Sequence, residues 1–206
     1  LHLQSSGYPM PGAQGLRGTT TTITRPIRFS MTYRGAVLEQ LVIRDAGLDD
    51  ADRLGAAHMV AAEEAYGHYF PTEFMKRNTA ERRTHMWTET LSAAEPKPRV
   101  VVAERGEQII GFGAFGPARD SDAPATNELW RLDVLSPAYG AGLANLMLDT
   151  LDPARSPSYL WVMEANHRAI GFYRRHGYRA DGAVEHLKLI DNLTKIRMVR
   201  NQVVRD

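Results

Sequence analysis

The order in which strand-like and helix-like segments follow one another constrains the fold of this chain most. Short runs rich in Val, Leu and Ile alternate with longer segments whose apolar residues recur at helical spacing. The resulting order is β-α-α-α-β-β-β-α-β-α-β-β, with strands predicted at 41–44, 99–104, 108–115, 128–135, 159–163, 185–189 and 195–200. Such a mixture excludes a β-sandwich and a helix bundle. It predicts a mixed α/β (α+β) domain in which helices cover both faces of one central, mostly antiparallel sheet of about six or seven strands.

Local signals place the ends of several elements. Asn78 followed by Glu81 is a capping-box pattern, so we predict that a helix begins there and ends before Pro96. The turn at 105–107 between two runs rich in Val and Ile predicts a β-hairpin. Further helices are predicted over 140–151 and 166–176, each directly after a strand.

The first 38 residues differ in composition from the rest of the chain. They contain four Arg, no acidic residue, many Gly, Pro, Ser and Thr, and no evident apolar period. We therefore predict that residues 1–38 form a flexible tail or leader and that residues 39–206 form the single domain. An acid-poor segment with Arg also resembles an organellar transit peptide, but transit peptides show an amphipathic pattern that is not evident here.

Composition argues against several classes of function. The chain has no Cys, which excludes disulfides, thiolate metal sites and a Cys nucleophile and favours a cytoplasmic location. The formal net charge of +1 gives no field that would attract nucleic acid or an anionic membrane, so we predict neither partner. The seven His show no metal-ligand spacing, and we expect no metal.

The stretch 134–144 is the strongest chemical motif in the sequence. Here a predicted strand runs into a loop of small residues that opens a helix. The first N–H groups of a helix have no intrahelical partner, and the helix dipole places positive charge beside them. Gly140, Ala141, Gly142 and Ala144 would let a pyrophosphate approach these groups closely. On its own, such a pattern is more often a plain turn with tight helix packing.

A second motif, further along the chain, changes this interpretation. It consists of a strand that ends in Asn and a helix with a Phe-Tyr pair and a Gly-aromatic exit, formed by Leu160 to Asn166, Ala169, Phe172, Tyr173, Gly177 and Tyr178. Together with the loop, these residues resemble the GNAT superfamily of acyl-CoA-dependent N-acyltransferases. The predicted hairpin at 100–113 is similar to that family as well. The resemblance begins at Gln40 and leaves only the N-terminal segment outside.

The resemblance implies the GNAT fold and acetyl-CoA as co-substrate. It assigns the cradle of the CoA pyrophosphate to Tyr139, Gly140, Ala141, Gly142, Leu143, Ala144 and Asn145, and the pantetheine arm to Leu132, Asp133, Val134 and Asn166. One position departs from the family, because Tyr139 stands where Gln or Arg is usual. No basic residue lies between Pro137 and Asn145, which puts the affinity for CoA in doubt. Asn166 is equally a natural N-cap for the helix that follows it.

The resemblance also assigns two proton-transfer roles. Tyr173 takes the position of the general acid, next to the cofactor, where it would protonate the departing CoA thiolate. The alternative for Tyr173 is a core aromatic on an amphipathic helix. Glu128 lies eleven residues before Tyr139, where several family members place the general base. The alternative for Glu128 is a solvated charge at the start of its strand.

The strand predicted at 128–135 has two faces. Strict alternation predicts that Glu128 shares one face with Trp130, Leu132 and Val134. The other face would then carry Arg131 and Asp133, which we expect to form a structural pair.

The sequence identifies the acceptor site less clearly than the CoA site. In the family, the first two helices meet over the acceptor groove, and the corresponding segment of this chain contains carboxylate and aromatic side chains. These side chains could bind a cationic amine. The candidate acceptor residues are Glu63, Tyr66, Tyr69, Phe70 and, on the neighbouring strand, Trp130. A solvated helix end packed by aromatics would give the same pattern. The predicted function is an N-acetyltransferase that moves an acetyl group from acetyl-CoA directly to a primary amine of a small molecule, such as an antibiotic or an amino-acid derivative. The alternative functions are a non-catalytic acyl-CoA-binding regulatory module and a protein N-acetyltransferase. A domain of this kind can also form a homodimer.

Overall fold

The computed structural model describes residues 26–33, 36–67, 70, 72–187 and 193–201. In these residues eight strands form one sheet, which five α-helices accompany. The strands are β1 (Ile27–Tyr33), β2 (Ala36–Asp45), β3 (Arg99–Arg105), β4 (Gln108–Pro117), β5 (Asn127–Val134), β6 (Ser158–Met163), β7 (Arg179–His186) and β8 (Thr194–Arg200). The helices are α1 (Ala51–Tyr66), α2 (Thr72–Met75), α3 (Ala80–Ser92), α4 (Leu143–Leu151) and α5 (His167–Arg175).

The sheet is antiparallel except between two central strands. Its order is β1-β2-β3-β4-β5-β6-β8-β7, and β5 and β6 are the parallel neighbours. Their pairing covers only Asn127 with Ser158 and Glu128 with Tyr159. The two strands therefore diverge toward their C-terminal ends and leave a gap in the middle of the sheet.

A bulge in β5 changes the directions of its side chains. Ala114 of β4 pairs with Arg131, whereas the next residue of β4, Phe115, pairs with Leu129. Trp130 is thus the extra residue of a β-bulge, a feature that re-aims the side chains around it.

Each face of the sheet has its own hydrophobic core. On one face, Leu143, Met147 and Leu151 of α4 form a stripe at a spacing of four residues and pack with buried strand residues. On the other face, covered by α1 and α3, the ring of Trp87 packs edge-on against Phe112 with 5.7 Å between the centroids. Among the described helices, none combines the length and the apolar character needed to cross a membrane.

The fold class predicted from the sequence is confirmed, with one strand more than expected. The additional strand β1 pairs with β2, from Ile27 opposite Ile43 to Tyr33 opposite Ala36. It lies inside the segment predicted as a tail, and β2 spans the predicted boundary between residues 38 and 39. Apolar residues at alternate positions from Ile27 to Tyr33 are the strand signal that the sequence prediction overlooked. The remainder of the predicted tail, residues 1–25, is outside the described residues.

Two boundaries also differ from the prediction. The N-cap of α3 is Thr79, whose side chain accepts a hydrogen bond from the Arg82 N–H at 3.3 Å, and not Asn78. Asn78 instead donates to the Met59 carbonyl at 3.3 Å and accepts from Arg83 at 2.8 Å, which ties α3 to α1. Strand β7 begins earlier than predicted, soon after the turn that ends α5.

Candidate functional site

A cavity of about 420 Å³ opens where β5 and β6 separate. The end of β5, the loop that follows it, the start of α4 and one side of α5 enclose it. It is lined by Leu132, Val134, Ala138, Tyr139, Gly140, Gly142, Leu143, Ala144, Asn145, Arg168, Ala169, Phe172, Tyr173 and Arg175. The cavity therefore brings the loop motif and the second motif of the sequence to one place.

The loop before α4 has the backbone geometry of an anion cradle. Gly140 and Gly142 have φ values of 75° and 79°, a left-handed conformation that favours glycine. A Cβ atom built on either residue would meet no atom within 4 Å, so a ligand can approach the main chain there. The hydrogen bonds from the N–H groups of Asn145 and Leu146 both end on the Gly142 carbonyl, which leaves the earlier N–H groups of this helix start facing outward.

The positive charge of the cavity comes from α5. The guanidinium of Arg168 lies 3.9 Å from the centroid of the Tyr139 ring, and Arg175 also lines the cavity. Tyr139, which replaces the Gln or Arg of the family motif, thus holds an arginine from another element over the loop. Neither arginine was among the residues predicted from the sequence. Arg168, Phe172 and Arg175 are spaced i, i+4 and i+7, a helical stripe that could have revealed them.

Most of the predicted CoA-binding residues line the cavity, and three do not. Ala141 packs on the core of the α4 face. Asn166 caps α5, since its side-chain oxygen accepts a hydrogen bond from the Ala169 N–H at 3.0 Å. Asp133 alternates with Leu132 and Val134 along β5 and is not among the residues that line the cavity. The geometry thus gives Asn166 the capping role that was its alternative.

Tyr173 lies in the wall of this cavity. Its side chain is 8% exposed and packs edge-on against Phe172 and Tyr178, with ring centroids 5.3 Å and 5.9 Å away. Burial raises the pKa of its phenol, and the nearby carboxylate of Asp133 and the phenol of Tyr66 add to the rise. Tyr173 is therefore protonated at neutral pH.

Glu128 lies at the other end of β5, where β5 still pairs with β6. Its side chain is 2% exposed, and Arg119 binds both carboxylate oxygens. The Tyr159 hydroxyl donates a further hydrogen bond to Oε2 at 3.1 Å, and the Arg119 N–H donates to the same oxygen at 3.2 Å. A carboxylate held in this way is poorly placed to take a proton from an incoming amine.

The bulge corrects the predicted faces of β5. Leu132 and Val134 pack with the core on the α4 side, whereas Trp130 belongs to the core on the α1 side. Arg131 also lies on the α1 side, because its guanidinium contacts His58 of α1. Trp130 therefore does not share a face with Leu132 and Val134, because the extra residue breaks strict alternation.

The predicted acceptor residues only partly come together. The rings of Tyr66 and Phe70 are 5.9 Å apart in an edge-to-face contact, and Tyr69 is outside the described residues. Burial raises the pKa of Tyr66, as does Asp133, while the side chain of Asn166 opposes the rise. Glu63 is exposed on α1.

Trp130 and Glu64 both hold structural contacts near this region. Trp130 donates to the Pro117 carbonyl at 2.9 Å and lies beneath Arg119, whose guanidinium is 4.2 Å from the ring centroid. Glu64 accepts hydrogen bonds from the Ser136 N–H at 2.9 Å and from its hydroxyl at 2.6 Å. Within the part of the chain that the structure describes, no three His, Asp or Glu side chains converge as metal ligands would.

Comparisons with known proteins agree with this geometry. Residues 59–178 match the sequence model of the acetyltransferase (GNAT) family. A search of curated protein sequences gave no match. Similar solved structures include the PaiA N-acetyltransferase from Thermoplasma acidophilum in complex with coenzyme A, with 14% sequence identity and a TM-score of 0.62 over 79% of this chain and 99% of that one.

Two further solved structures have the same fold. The N-acetyltransferase from Staphylococcus aureus Mu50 is 20% identical, with a TM-score of 0.59 over 78% of this chain and 98% of its own. The ribosomal-protein-alanine N-acetyltransferase from Brucella melitensis is 25% identical, with a TM-score of 0.59 over 78% of this chain and 99% of its own.

Proposed function

Because this chain belongs to the acetyltransferase (GNAT) family, we propose that it is an N-acetyltransferase that moves an acetyl group from acetyl-CoA to a primary amine of a small molecule. The observation that carries the proposal is the meeting of three features at one cavity. These are the glycine cradle at the start of α4, the arginines of α5 and the buried phenol of Tyr173.

The cavity suits acetyl-CoA, which supplies the acetyl group as a thioester. The outward N–H groups at the start of α4 and the guanidinium groups of Arg168 and Arg175 would hold the pyrophosphate. The apolar side chains of Leu132 and Val134 line the wall toward β5, where the pantetheine arm would lie beside the strand. Charge from α5 compensates for the missing basic residue at position 139.

The transfer requires two proton movements. The neutral amine nitrogen forms a bond to the acetyl carbon while the bond from that carbon to sulfur breaks, so the nitrogen must lose one proton and the sulfur must gain one. Tyr173 would donate the proton to sulfur, because its protonated phenol lies in the wall of the cavity. Asp133, which interacts with Tyr66 and Tyr173, is better placed than Glu128 to receive the proton from nitrogen, directly or through water.

Acetylation of a protein N-terminus is a second candidate function. The observation in its favour is the 25% identity to the ribosomal-protein-alanine N-acetyltransferase, an enzyme whose acceptor is a protein. A peptide with N-terminal Ala therefore belongs in any acceptor screen.

The test is release of thiol from acetyl-CoA, measured with amino acids, aliphatic amines, amino sugars and the peptide, and with mass spectrometry of the products. We expect turnover with at least one small amine and an acetylated product. Turnover with the peptide alone would favour the second function. Saturable binding of CoA without turnover of any amine would identify a non-catalytic module and overturn the proposal.

A further inference from the structure

A second group of charged side chains lies on the α1 and α3 side of β5. Arg131 bonds the His58 ring, with Nη1 2.9 Å from Nδ1, and its guanidinium lies 5.4 Å from the centroid of the Trp87 ring. Arg83 is one helical turn before Trp87 on α3, so it lies on the same side of that helix. Burial and, after it, the nearby charge of Arg131 lower the pKa of Arg83 to about 10. The two guanidinium groups are therefore neighbours.

The carboxylates around these two arginines do not balance their charge. Asp133, two residues after Arg131 on the same strand face, interacts with both arginines and partly offsets the fall of their pKa values. Glu128 is bound to Arg119. Among the ion pairs within 4.0 Å in the described residues, none includes Arg131, Arg83 or Asp133. The group therefore carries one positive charge more than negative.

His58 does not supply the missing counter-charge. The ring is 2% exposed, and its pKa is lowered by burial and by the charge of Arg131, so it is neutral. It occupies only Nη1 of a guanidinium that has five N–H donors. Trp87 Nε1 is the one fully buried side-chain nitrogen or oxygen of the described residues without a partner. Arg131, Arg83 and Asp133 are all only partly buried, so a ligand can approach them from solvent.

We propose that the acceptor amine also carries an anionic group, a carboxylate or a phosphate-type group, which Arg131 and Arg83 bind while Asp133 faces the amine. This inference rests on the proposed function, because Asp133 links the arginines to Tyr173 in the cavity wall. Residues two apart on a strand are about 7 Å apart, so the amine and the anion would be separated by a few bonds, as in an amino acid. A partly buried arginine with an incomplete set of partners is less stable than a paired one, and a bound anion would supply the missing partner.

The test uses pairs of amines that differ only in the anionic group. The probes are the standard amino acids with their carboxamides, and the aminoalkyl phosphonates with the corresponding amino alcohols. For each pair, kcat/KM is measured by thiol release with the full chain. Carboxamides have less basic amines and are more often neutral, so without recognition of the anion they would react faster than the acids.

We expect kcat/KM of the best acid to exceed that of its neutral partner by about 10-fold or more, as for a charge-assisted hydrogen bond. This ratio should fall toward one in Arg131→Gln and in Arg83→Gln, and Arg83→Lys should retain part of it. The matched control is Arg82→Gln, an exposed neighbour on α3 that should keep the full ratio. Arg83 is only partly buried and Arg82 is exposed, so variants at these two positions remain informative even where Arg131→Gln does not fold.

The outcomes separate this inference from the proposed function. Turnover of neutral amines with no preference for the acids, or a preference that survives both Arg variants, would overturn the inference and leave the acetyltransferase function standing. If no amine is turned over, the proposed function fails, and binding of the same acids by thermal shift decides the inference alone. A rise in melting temperature that Arg83→Gln abolishes would support it, and no rise would overturn it.

Discussion

The charged side chains at the two ends of β5 differ in how they are paired. At the closed end, where β5 pairs with β6, Glu128 is buried and both its oxygens are bound by Arg119 and Tyr159. At the open end, past the bulge, Arg131 and Asp133 have no ion partner within 4.0 Å in the described structure, and Arg168 across the gap stacks on a ring instead of a carboxylate. The same strand therefore carries a structural carboxylate at one end and incompletely paired charges at the other.

The separation of the strands explains this difference. A charge between two paired strands has no access to water or ligand, so it must be compensated by the protein itself. Where the strands diverge, a ligand can supply the partner. The point at which β5 and β6 diverge, more than the residue type, therefore decides which charged side chains of β5 a ligand can reach.

The largest effect on stability should come from removing the ion pair at the closed end of β5. Replacing Glu128 by Gln leaves Arg119 without its anion in a nearly buried site, and we expect the free energy of unfolding to fall by about 3 kcal/mol. Urea denaturation measures this loss. The matched control is Glu73→Gln, which removes an exposed pair with Lys76 and should cost no more than about 0.5 kcal/mol.

The same variant tests the general-base role that the sequence resemblance assigned to Glu128. With the base at the open end, folded Glu128→Gln should keep the wild-type rise of kcat/KM with pH, and Asp133→Asn should flatten it. If Glu128→Gln folds stably but its kcat/KM no longer rises with pH, then Glu128 is the general base. That result would contradict the contrast between the two ends of β5.

The next effect concerns the proton donor at the open end. Tyr173→Phe keeps the ring and its packing, so we expect kcat to fall by about 10²-fold with little change in the affinity for acetyl-CoA. Tyr178→Phe is the control, because that buried hydroxyl bonds Ser158 at 2.8 Å and lies at the closed end. It should cost about 1 kcal/mol of stability and leave kcat near the wild-type value. Equal losses of kcat in both variants would remove Tyr173 from the chemistry.

A smaller effect should appear when the pH falls. The folded pKa of His58 lies below its unfolded value of about 6.5, so below pH 6.5 the unfolded chain binds a proton that the folded chain does not. Stability from this group is complete above pH 6.5 and is lost on acidification at up to about 1.4 kcal/mol per pH unit, or about 2 kcal/mol by pH 5. Denaturation at several pH values should show this slope in wild type and a shallower one in His58→Gln. The matched control is His85→Gln, which removes a histidine from an exposed position on α3 without opening the core.

The extent to which sequence predicted this molecule depends on the kind of signal. The local sequence pattern predicted the helix start after the glycine loop, and the resemblance to a known family pointed to Tyr173, which lies in the wall of the same cavity. The faces of β5 were predicted wrongly, because the bulge at Trp130 depends on pairing with β4, which is remote in sequence. The pairing of Glu128 with Arg119, the proximity of Arg83 to Arg131 and the stacking of Arg168 on Tyr139 are likewise contacts between elements, and no local pattern contains them.

The smallest predicted effect concerns Arg168, the cation that faces the open end from α5. Because its charge is exposed and screened by salt, we expect Arg168→Gln to raise the Kd of acetyl-CoA by only about 10-fold. Calorimetry at two salt concentrations measures the change, and the variant should also show a weaker dependence of Kd on salt, since one cation fewer meets the phosphates.

Arg174→Gln is the matched control for this prediction. Arg174 is exposed on the same helix but does not line the cavity, so its loss removes the same charge from the chain without removing a contact to the ligand. If both variants weaken binding equally, the effect of Arg168 is only the general field of α5, and the loop binds phosphate through its backbone alone. If only Arg168→Gln weakens binding, the open end of β5 is completed by an arginine that the loop motif itself lacks, and Tyr139 serves as the platform that holds it.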